Sequence, residues 1–522
     1  MYLALSALAT AGANAEQPLP TAVIDQHIEQ RWNDLQLQPA ADCSDSTFVR
    51  RIYLDLVGRI PTIAEHETFV ADQRSDKKAL LVQLLTTSED YVQHFADMFD
   101  ALLMGRGSQK DYNERSKHKW RSFLEQTFRD NRPWSDVTSE ILLARPTSNE
   151  KRGAVWYLFE RQEKYQEIAE AVAPAFFGIR IDCAQCHNHM IAHEIEQAHY
   201  WGLVAFFNRS KNVQTQNGPR VSEVATGGFS DFANLEGDSS PNLLTFFRSK
   251  TVSEARPDKD EKQEDTDELY VPASIEDDPR VPLFSRREQF IKEVATDHPL
   301  IARAFVNRIW AMLLGRGIVH PFDEMDSTHP PSHPELLDFL ADDFRKSNCD
   351  IRRLVQTICL SRPYQLNSRK PEGIDDPASF AWHLDRQLTA EQLARSMQLA
   401  VQGSFQNDDE LVQSLRQSLR EVMPKESVTT VKDALFLTNN ATIQNFLDRP
   451  VSDQSLMARL GKLPSGDQQS DLLCQTIFGR SADAEEQQRL TDYLQASDSQ
   501  KADRLKQIIW AMLTSAEFRF NH

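Results

Sequence analysis

Two cysteines and a histidine near the middle of the chain have the residue types and spacing with the clearest chemistry. Cys183, Cys186 and His187 form a Cys-x-x-Cys-His string. In such a string the two thiols can form thioether bonds to the vinyl groups of a haem, while the imidazole ligates its iron. The motif therefore predicts a covalently bound haem c that transfers single electrons, with His187 as the proximal iron ligand.

The same segment also allows a zinc site. Cys183, Cys186, His189 and His193 supply two thiolates and two imidazoles, and a spacing of four would place the two histidines on one face of a helix. Such a site would be structural and would transfer no electrons. A third interpretation is a free or oxidised cysteine pair beside histidines that only form hydrogen bonds. The residues themselves leave all three interpretations open.

The ligand on the opposite face of a haem is not evident from the sequence. After Met190 the next methionine is Met312, so no methionine lies a few tens of residues downstream. Met190 itself is too close to His187 along the chain to reach the other face. The remaining candidates are His199, His320, Met325, His329 and His333. The last four lie in a proline-rich segment that can fold back onto the motif.

That proline-rich segment has a second interpretation. Asp323, Glu324 and Asp326 lie among its histidines, and together they could form a catalytic or metal-binding loop. However, Ser332 and Glu335 match a capping box that would open a helix over residues 336–344. We therefore interpret the segment as a connecting loop followed by a helix cap. A hydrolase acting through this loop has no nucleophile that the sequence identifies, so we predict no catalytic residues.

Helical periodicity surrounds the motif and must position it. Ser88 is placed to cap a helix with an apolar stripe that starts at Tyr91, and further helical patterns cover 119–129, 162–177 and 198–207. Pro299 suits the first turn of another helix, which Gly315 would end. The sequence predicts a mainly α, multi-helical protein with the motif between two helices.

The pattern divides the chain into two helical domains, at 16–210 and 284–522, with a small irregular or β insert and linker at 211–283. Within the insert, residues 254–278 contain eleven acids and three bases, which favours a solvated linker. Three short stretches also repeat: 101–107 resembles 311–317, 58–89 resembles 479–517, and 81–91 resembles 354–364. Shared helix-capping residues and true duplication explain these repeats about equally well.

Charge and targeting signals exclude several classes of protein. With 58 Lys and Arg against 77 Asp and Glu, the net charge of −19 argues against nucleic-acid binding. An apolar run that ends in Ala13-Asn14-Ala15 predicts a signal peptide over residues 1–15, truncated at its start, and hence an exported periplasmic or extracellular protein. No other segment is long and apolar enough to predict a transmembrane helix. The isolated cysteines, for which pairing stays open, are Cys43, Cys349, Cys359 and Cys474.

Several longer motifs resemble a known family. In the first half these are 48–62 (FVRRIYLDLVGRIPT), 176–189 (FFGIRIDCAQCHNH), 200–203 (YWGL) and 205–207 (AFF). They resemble the planctomycete secreted cytochrome-like domain of the second type. In the second half, 298–300 (HPL), 304–310 (AFVNRIW), 315–317 (GRG), 333–338 (HPELLD) and 360–364 (LSRPY) resemble the companion planctomycete secreted domain usually fused to it.

The resemblance implies little about activity, because both domains are of unknown function and the cytochrome label rests on the Cys-x-x-Cys-His motif. Relatives commonly carry Pro-Phe where this chain has Met190 and Ile191. Many relatives also carry a separate cytochrome-like domain, so the resemblance implies a periplasmic redox partner in another protein. The sequence thus predicts a c-type haem electron-transfer protein serving a periplasmic oxidoreductase system. The alternative is a non-redox binding or scaffold protein with a structural zinc.

Overall fold

The structure of the protein is a computed structural model. It describes residues 18–258, 261–406, 410–419, 422–423, 440–449, 452–463, 466–495 and 501–522. The predicted signal peptide at 1–15 lies outside these ranges. The protein is 56% helical, and every sheet within the described ranges has only two strands. The predicted mainly α, multi-helical fold is therefore confirmed.

The first half consists of ten helices that lead to the motif and one helix after it, within the described ranges. In chain order they are α1 (Thr21–Asp34), α2 (Asp45–Val57), α3 (Ile63–Ala71), α4 (Lys77–Thr86), α5 (Glu89–Met104), α6 (Gln109–Lys117), α7 (Trp120–Arg129), α8 (Trp134–Leu143), α9 (Trp156–Phe159), α10 (Tyr165–Val172) and α11 (Gln197–Phe207). A π-helical turn, Ala173–Phe177, extends α10. The motif lies between α10 and α11, as predicted.

The insert contains three antiparallel strand pairs, in agreement with the predicted short strands. The strands are β1 (Ser210–Thr215), β2 (Gly218–Glu223), β3 (Asp231–Ala233), β4 (Ser239–Pro241), β5 (Tyr270–Val271) and β6 (Val281–Pro282), paired in sequence order. Residues 261–268 of the acidic segment are exposed. Its ends are not free, because Glu254 forms an ion pair with the buried Arg286 at 2.7 Å, and Asp278 pairs with the buried Arg220 at 2.7 Å.

The second half is again helical. Its elements are α12 (Arg286–Gln289), α13 (Pro299–Leu314), α14 (Pro334–Lys346), α15 (Ile351–Cys359), α16 (Arg362–Gln365), β7 (Arg386–Gln387), α17 (Ala390–Gln402), α18 (Glu410–Ser418), α19 (Ala441–Leu447), α20 (Leu456–Gly461), α21 (Gly466–Phe478), α22 (Ala484–Gln495), α23 (Lys501–Thr514), α24 (Ala516–Arg519) and β8 (Phe520–Asn521). The last strand pairs with β7.

Most predicted helix ends are confirmed, and one is wrong. The Ser88 hydroxyl accepts a hydrogen bond from the Tyr91 amide, and Gly315 ends α13 with a φ of +80°. The predicted capping box at Ser332 does not form. The Ser332 amide and hydroxyl both donate to the Ile318 carbonyl, at 2.8 and 3.2 Å, and α14 begins two residues later without a side-chain cap. The Ser332 hydroxyl, which the local pattern assigned to the helix cap, is therefore engaged in a tertiary hydrogen bond instead.

Two hydrophobic cores hold the helices together. The first includes buried side chains from Ile24 to Trp382, so it contains helices from both sides of the insert. The second combines Leu54 and Ile60 with side chains from Leu388 to Phe518. Helix α2 contributes to both cores. The domain boundaries inferred from the sequence stay a prediction.

The repeated stretches adopt the same local structure. Helices α2 and α21 each end at a glycine with positive φ, Gly58 at +68° and Gly479 at +72°, and an arginine follows. Arg59 then pairs with Glu65 at 2.9 Å, and Arg480 pairs with Glu486, also six residues later, at 2.7 Å.

Each of these two arginines also pairs with a second acid, and the two second acids occupy matching positions in their repeats. Arg59 also binds Asp90, and Arg480 also binds Glu517, each acid lying two residues after the serine that caps the last helix of its repeat. Shared capping residues do not require shared ion pairs, so the structure favours duplication of a unit in which a helix ends at a glycine, an arginine follows, and three further helices come next. The unit occurs a third time, around α13, Gly315, Arg316, α14, α15 and α16.

Candidate cofactor site

The two motif cysteines lie on one short turn at the protein surface. Residues Asp182–Gln185 form a single 3₁₀ turn, and Cys186 follows it directly. Both Cys183 and Cys186 are exposed free thiols. Both sulfur atoms are therefore accessible from solvent.

His187 has one ring nitrogen engaged locally. Its Nδ1 lies 2.7 Å from the Asn188 carbonyl oxygen. A proton on Nδ1 donates to that carbonyl, and Nε2 then keeps its lone pair for a metal. The imidazole is half-buried. This arrangement orients the ring in the way in which protein histidines commonly ligate metals.

The first turn of α11 holds the motif in place. Gln197 is buried, and its Nε2 donates to the carbonyls of Gln185 at 3.1 Å and Ala233 at 3.0 Å. The Trp201 indole donates to the same Gln185 carbonyl at 3.0 Å. The side chain of Ala184, between the two cysteines, is fully buried. Hydrogen bonds to the Gln185 carbonyl and the buried Ala184 side chain thus fix the turn to the protein, while the two thiols stay exposed.

The two histidines of the zinc interpretation do not lie on a helix. Residues 186–196 form turns and bends, so the expectation that His189 and His193 share a helix face is wrong, while the zinc donor set itself stays a prediction. The turn is stabilised by His189 itself, because its Nδ1 accepts from the Ala192 amide at 2.9 Å and its own amide donates to the Ile195 carbonyl at 2.9 Å. Among the residues that the structure describes, no group of three or more His, Cys, Asp or Glu side chains is placed to hold a metal ion.

Large apolar side chains are exposed in and near the motif segment. Met190, three residues after His187, is 74% exposed, and Ile191 is 69% exposed. Leu235 is 72% exposed and lies two residues after Ala233, whose carbonyl accepts a hydrogen bond from Gln197. Met190 and Ile191 are adjacent in the chain and thus form a small exposed apolar surface that follows the motif.

Two family models match the chain. Residues 23–212 match PSCyt2, a protein of unknown function (DUF1549), and residues 286–422 match PSD1, a protein of unknown function (DUF1553). The chain joins a PSCyt2 domain to a PSD1 domain. This confirms the resemblance found in the sequence motifs. No curated protein and no solved structure matches the chain. In the described ranges, no helix has the length and apolar character needed to cross a membrane.

The PSD1 domain packs against the motif of the PSCyt2 domain. The Glu194 carboxylate accepts from the Ser327 amide at 2.7 Å and from its hydroxyl at 2.8 Å. Arg180 forms an ion pair with Asp323, and the Met325 amide donates to the Gly178 carbonyl at 2.7 Å. The proline-rich segment therefore folds back onto the motif region, as its sequence allowed.

The side chains considered as a second iron ligand have different surroundings. The His199 Nδ1 accepts from the Glu196 amide, the His329 ring contacts Asp326 and Glu324, and Met325 is buried against Gly178. His333 is buried beside Phe380, while His320 lines a separate cleft. The identity of a second iron ligand stays a prediction.

All six cysteines lie within the described ranges and are free thiols, so the question of pairing among the isolated four is answered. Cys43, Cys359 and Cys474 are buried, and Cys349 is half-buried. Burial raises the pKa of all four thiols, that of Cys474 to about 12. These cysteines are therefore chemically distinct from the exposed motif pair.

Proposed function

We propose that this protein is an exported c-type haem protein that exchanges single electrons with a partner oxidoreductase. The observation that carries the proposal is the exposed Cys183 and Cys186 pair on one turn, directly followed by His187 with Nε2 left available. Covalent attachment of haem needs two accessible thiols, and ligation of its iron needs an imidazole. The donor set therefore fits haem c, whereas a four-ligand zinc site would also need His189 and His193 to converge.

Each residue of the site has a separate role in this proposal. Cys183 and Cys186 tether the macrocycle, and the Asn188 carbonyl orients His187 toward the iron. Met190 and Ile191, both exposed, would be available to contact a bound haem. The haem would supply one-electron redox chemistry, and the exposed thiols that would hold it are accessible to a partner protein.

The decisive experiment is expression of the full chain with an export signal in a host that matures c-type haem. We expect a Soret absorption band, and haem that stays attached to the polypeptide during denaturing electrophoresis. Changing both motif cysteines to serine should abolish the attached haem. Colourless wild-type protein from a host that matures a control cytochrome would overturn the proposal.

Two histidine variants separate haem from zinc. His187→Ala removes the proposed iron ligand, while His193→Ala removes an exposed imidazole of the same segment that only zinc would use. The proposal predicts an altered haem spectrum in His187→Ala and an unchanged one in His193→Ala. Elemental analysis completes the test, because one zinc per chain that is lost in His193→Ala would support the scaffold alternative and exclude haem.

A further inference from the structure

A cleft between the two matched domains has polar and apolar walls that the proposed haem site does not use. Its volume is about 690 Å³, including the part open to solvent. The PSCyt2 domain contributes Asp55, His94 and Met98, and the PSD1 domain contributes Arg316 and Phe322 among others. Clefts at domain interfaces with a few polar groups on apolar walls are the usual form of small-molecule sites.

Arg316 is the arginine of the third helical repeat, and it differs from its two counterparts. Arg59 and Arg480 each pair with a carboxylate six residues later. The residue six positions after Arg316 is Phe322, which lines the same cleft.

The second acid is missing from this repeat as well. The position two residues after its serine, Ser361, is Pro363 instead of Asp90 or Glu517. Within the described part of the chain, Arg316 forms no hydrogen bond and no ion pair. Burial lowers the pKa of its guanidinium, and Asp376 partly opposes this. The repeat has thus kept the cation and lost both of its internal anions.

The carboxylate in the cleft wall does not neutralise Arg316. Asp55 accepts hydrogen bonds from Tyr364 at 2.7 Å, Asn521 at 2.8 Å and Arg386 at 2.7 Å. The charge of Arg386 is therefore already matched by Asp55. Burial lowers the pKa of His94 to about 4, so this imidazole is uncharged at neutral pH. Arg316 is left as a cation without a matching anion in this wall.

We propose that the cleft binds a small organic monocarboxylate, whose two oxygens pair with the Arg316 guanidinium in place of the acids that the other repeats carry. A carboxylate matches the planar guanidinium fork and supplies one negative charge for one cation. The apolar part of the ligand contacts Met98, Met312 and Phe322, which line the cleft around Arg316.

Binding of hexanoate to the full-length protein tests this inference, with hexanamide as an uncharged ligand of the same shape. Saturation-transfer NMR titrations should give saturable hexanoate binding at least about tenfold tighter than that of hexanamide, because the charge-assisted pair is lost in the amide. Arg316→Gln should weaken hexanoate binding by a similar factor and leave hexanamide binding unchanged. The matched control, Arg369→Gln, changes an exposed arginine of the same domain and should bind hexanoate like the wild type.

Several outcomes would overturn the inference. They are no saturable hexanoate binding, equal affinity for hexanoate and hexanamide, unchanged hexanoate binding in Arg316→Gln, or inorganic phosphate that binds more tightly than hexanoate. If Arg316→Gln does not fold, the comparison of the two ligands on the wild-type protein still decides the charge requirement. Arg316→Lys then tests the fork geometry, with weakened but measurable hexanoate binding expected.

Discussion

The carboxylate of Glu194 accepts two hydrogen bonds from one residue of the other domain, the amide and the hydroxyl of Ser327. Glu194 lies in the turn segment that follows the Cys-x-x-Cys-His motif, and Ser327 lies in the proline-rich loop of the PSD1 domain. The pair therefore joins the motif region of the first domain directly to the second.

Removing the hydrogen bonds between Glu194 and Ser327 should lower the free energy of unfolding. We expect Glu194→Gln and Ser327→Ala to show a coupling free energy of about 1 kcal/mol in a double-mutant cycle, measured by urea denaturation. Partial burial raises the pKa of Glu194, but hydrogen bonds from its own amide and from Ser327 outweigh this and lower it below 4.5. The stabilisation is therefore complete above pH 4.5 and is lost as the pH falls through the lowered pKa. Additive effects of the two substitutions at pH 7 would contradict this prediction.

Asp55→Asn should destabilise the protein strongly. Asp55 joins three separate segments through Tyr364, Arg386 and Asn521, and the substitution leaves the Arg386 charge without its carboxylate. We expect a loss of about 3 kcal/mol in the free energy of unfolding, measured by chemical denaturation. Asp375→Asn is the control, because Asp375 is an exposed carboxylate that pairs only with Lys370. A loss no larger than that of the control would disprove the role of Asp55.

Thiol reactivity should separate the six cysteines into two classes. In haem-free, reduced protein we expect a disulfide reagent such as Ellman's reagent to modify Cys183 and Cys186 rapidly, because only this pair is exposed among the six. The other four thiols should react when guanidinium unfolds the chain, since burial raises their pKa values. The double serine variant should lose the rapid phase alone. A rapid phase that persists in this variant would show that another thiol is accessible.

The ion pair between Arg480 and Glu486 should make the stability of the folded protein depend measurably on pH. Hydrogen bonds from Arg480 lower the pKa of Glu486 from 4.5 to about 2. The folded state therefore gains stability from this carboxylate above pH 4.5 and loses that gain as the pH falls toward 2. Because the pair is about one-third exposed, we expect a contribution of about 1 kcal/mol or less. The free energy of unfolding, measured by chemical denaturation at several pH values, should change less with pH in Glu486→Gln than in Glu485→Gln. Glu485 is an exposed neighbour and serves as the control.

The sequence predicted the helices well because their signals are local. The serine cap at Ser88 and the glycine stop at Gly315 depend on residues within one helical turn, and both formed as predicted. The cap at Ser332 failed because Ile318, fourteen residues away, provides a competing acceptor. The helix expected around His189 and His193 failed for a local reason, since the His189 ring accepts from the Ala192 amide and stabilises a turn.

The sequence by itself determined the helical class, the motif Cys183, Cys186 and His187, and the family of each half, because these depend on residue type and short-range spacing. Only the tertiary structure decided that Ser327 reaches Glu194, and that the arginine of the third repeat borders a cleft without forming an ion pair with any described acid. Contacts between distant segments depend on how helices pack around shared cores. The packing of α13 in the first core therefore placed the arginine of the third repeat at this cleft, and no local pattern specifies it.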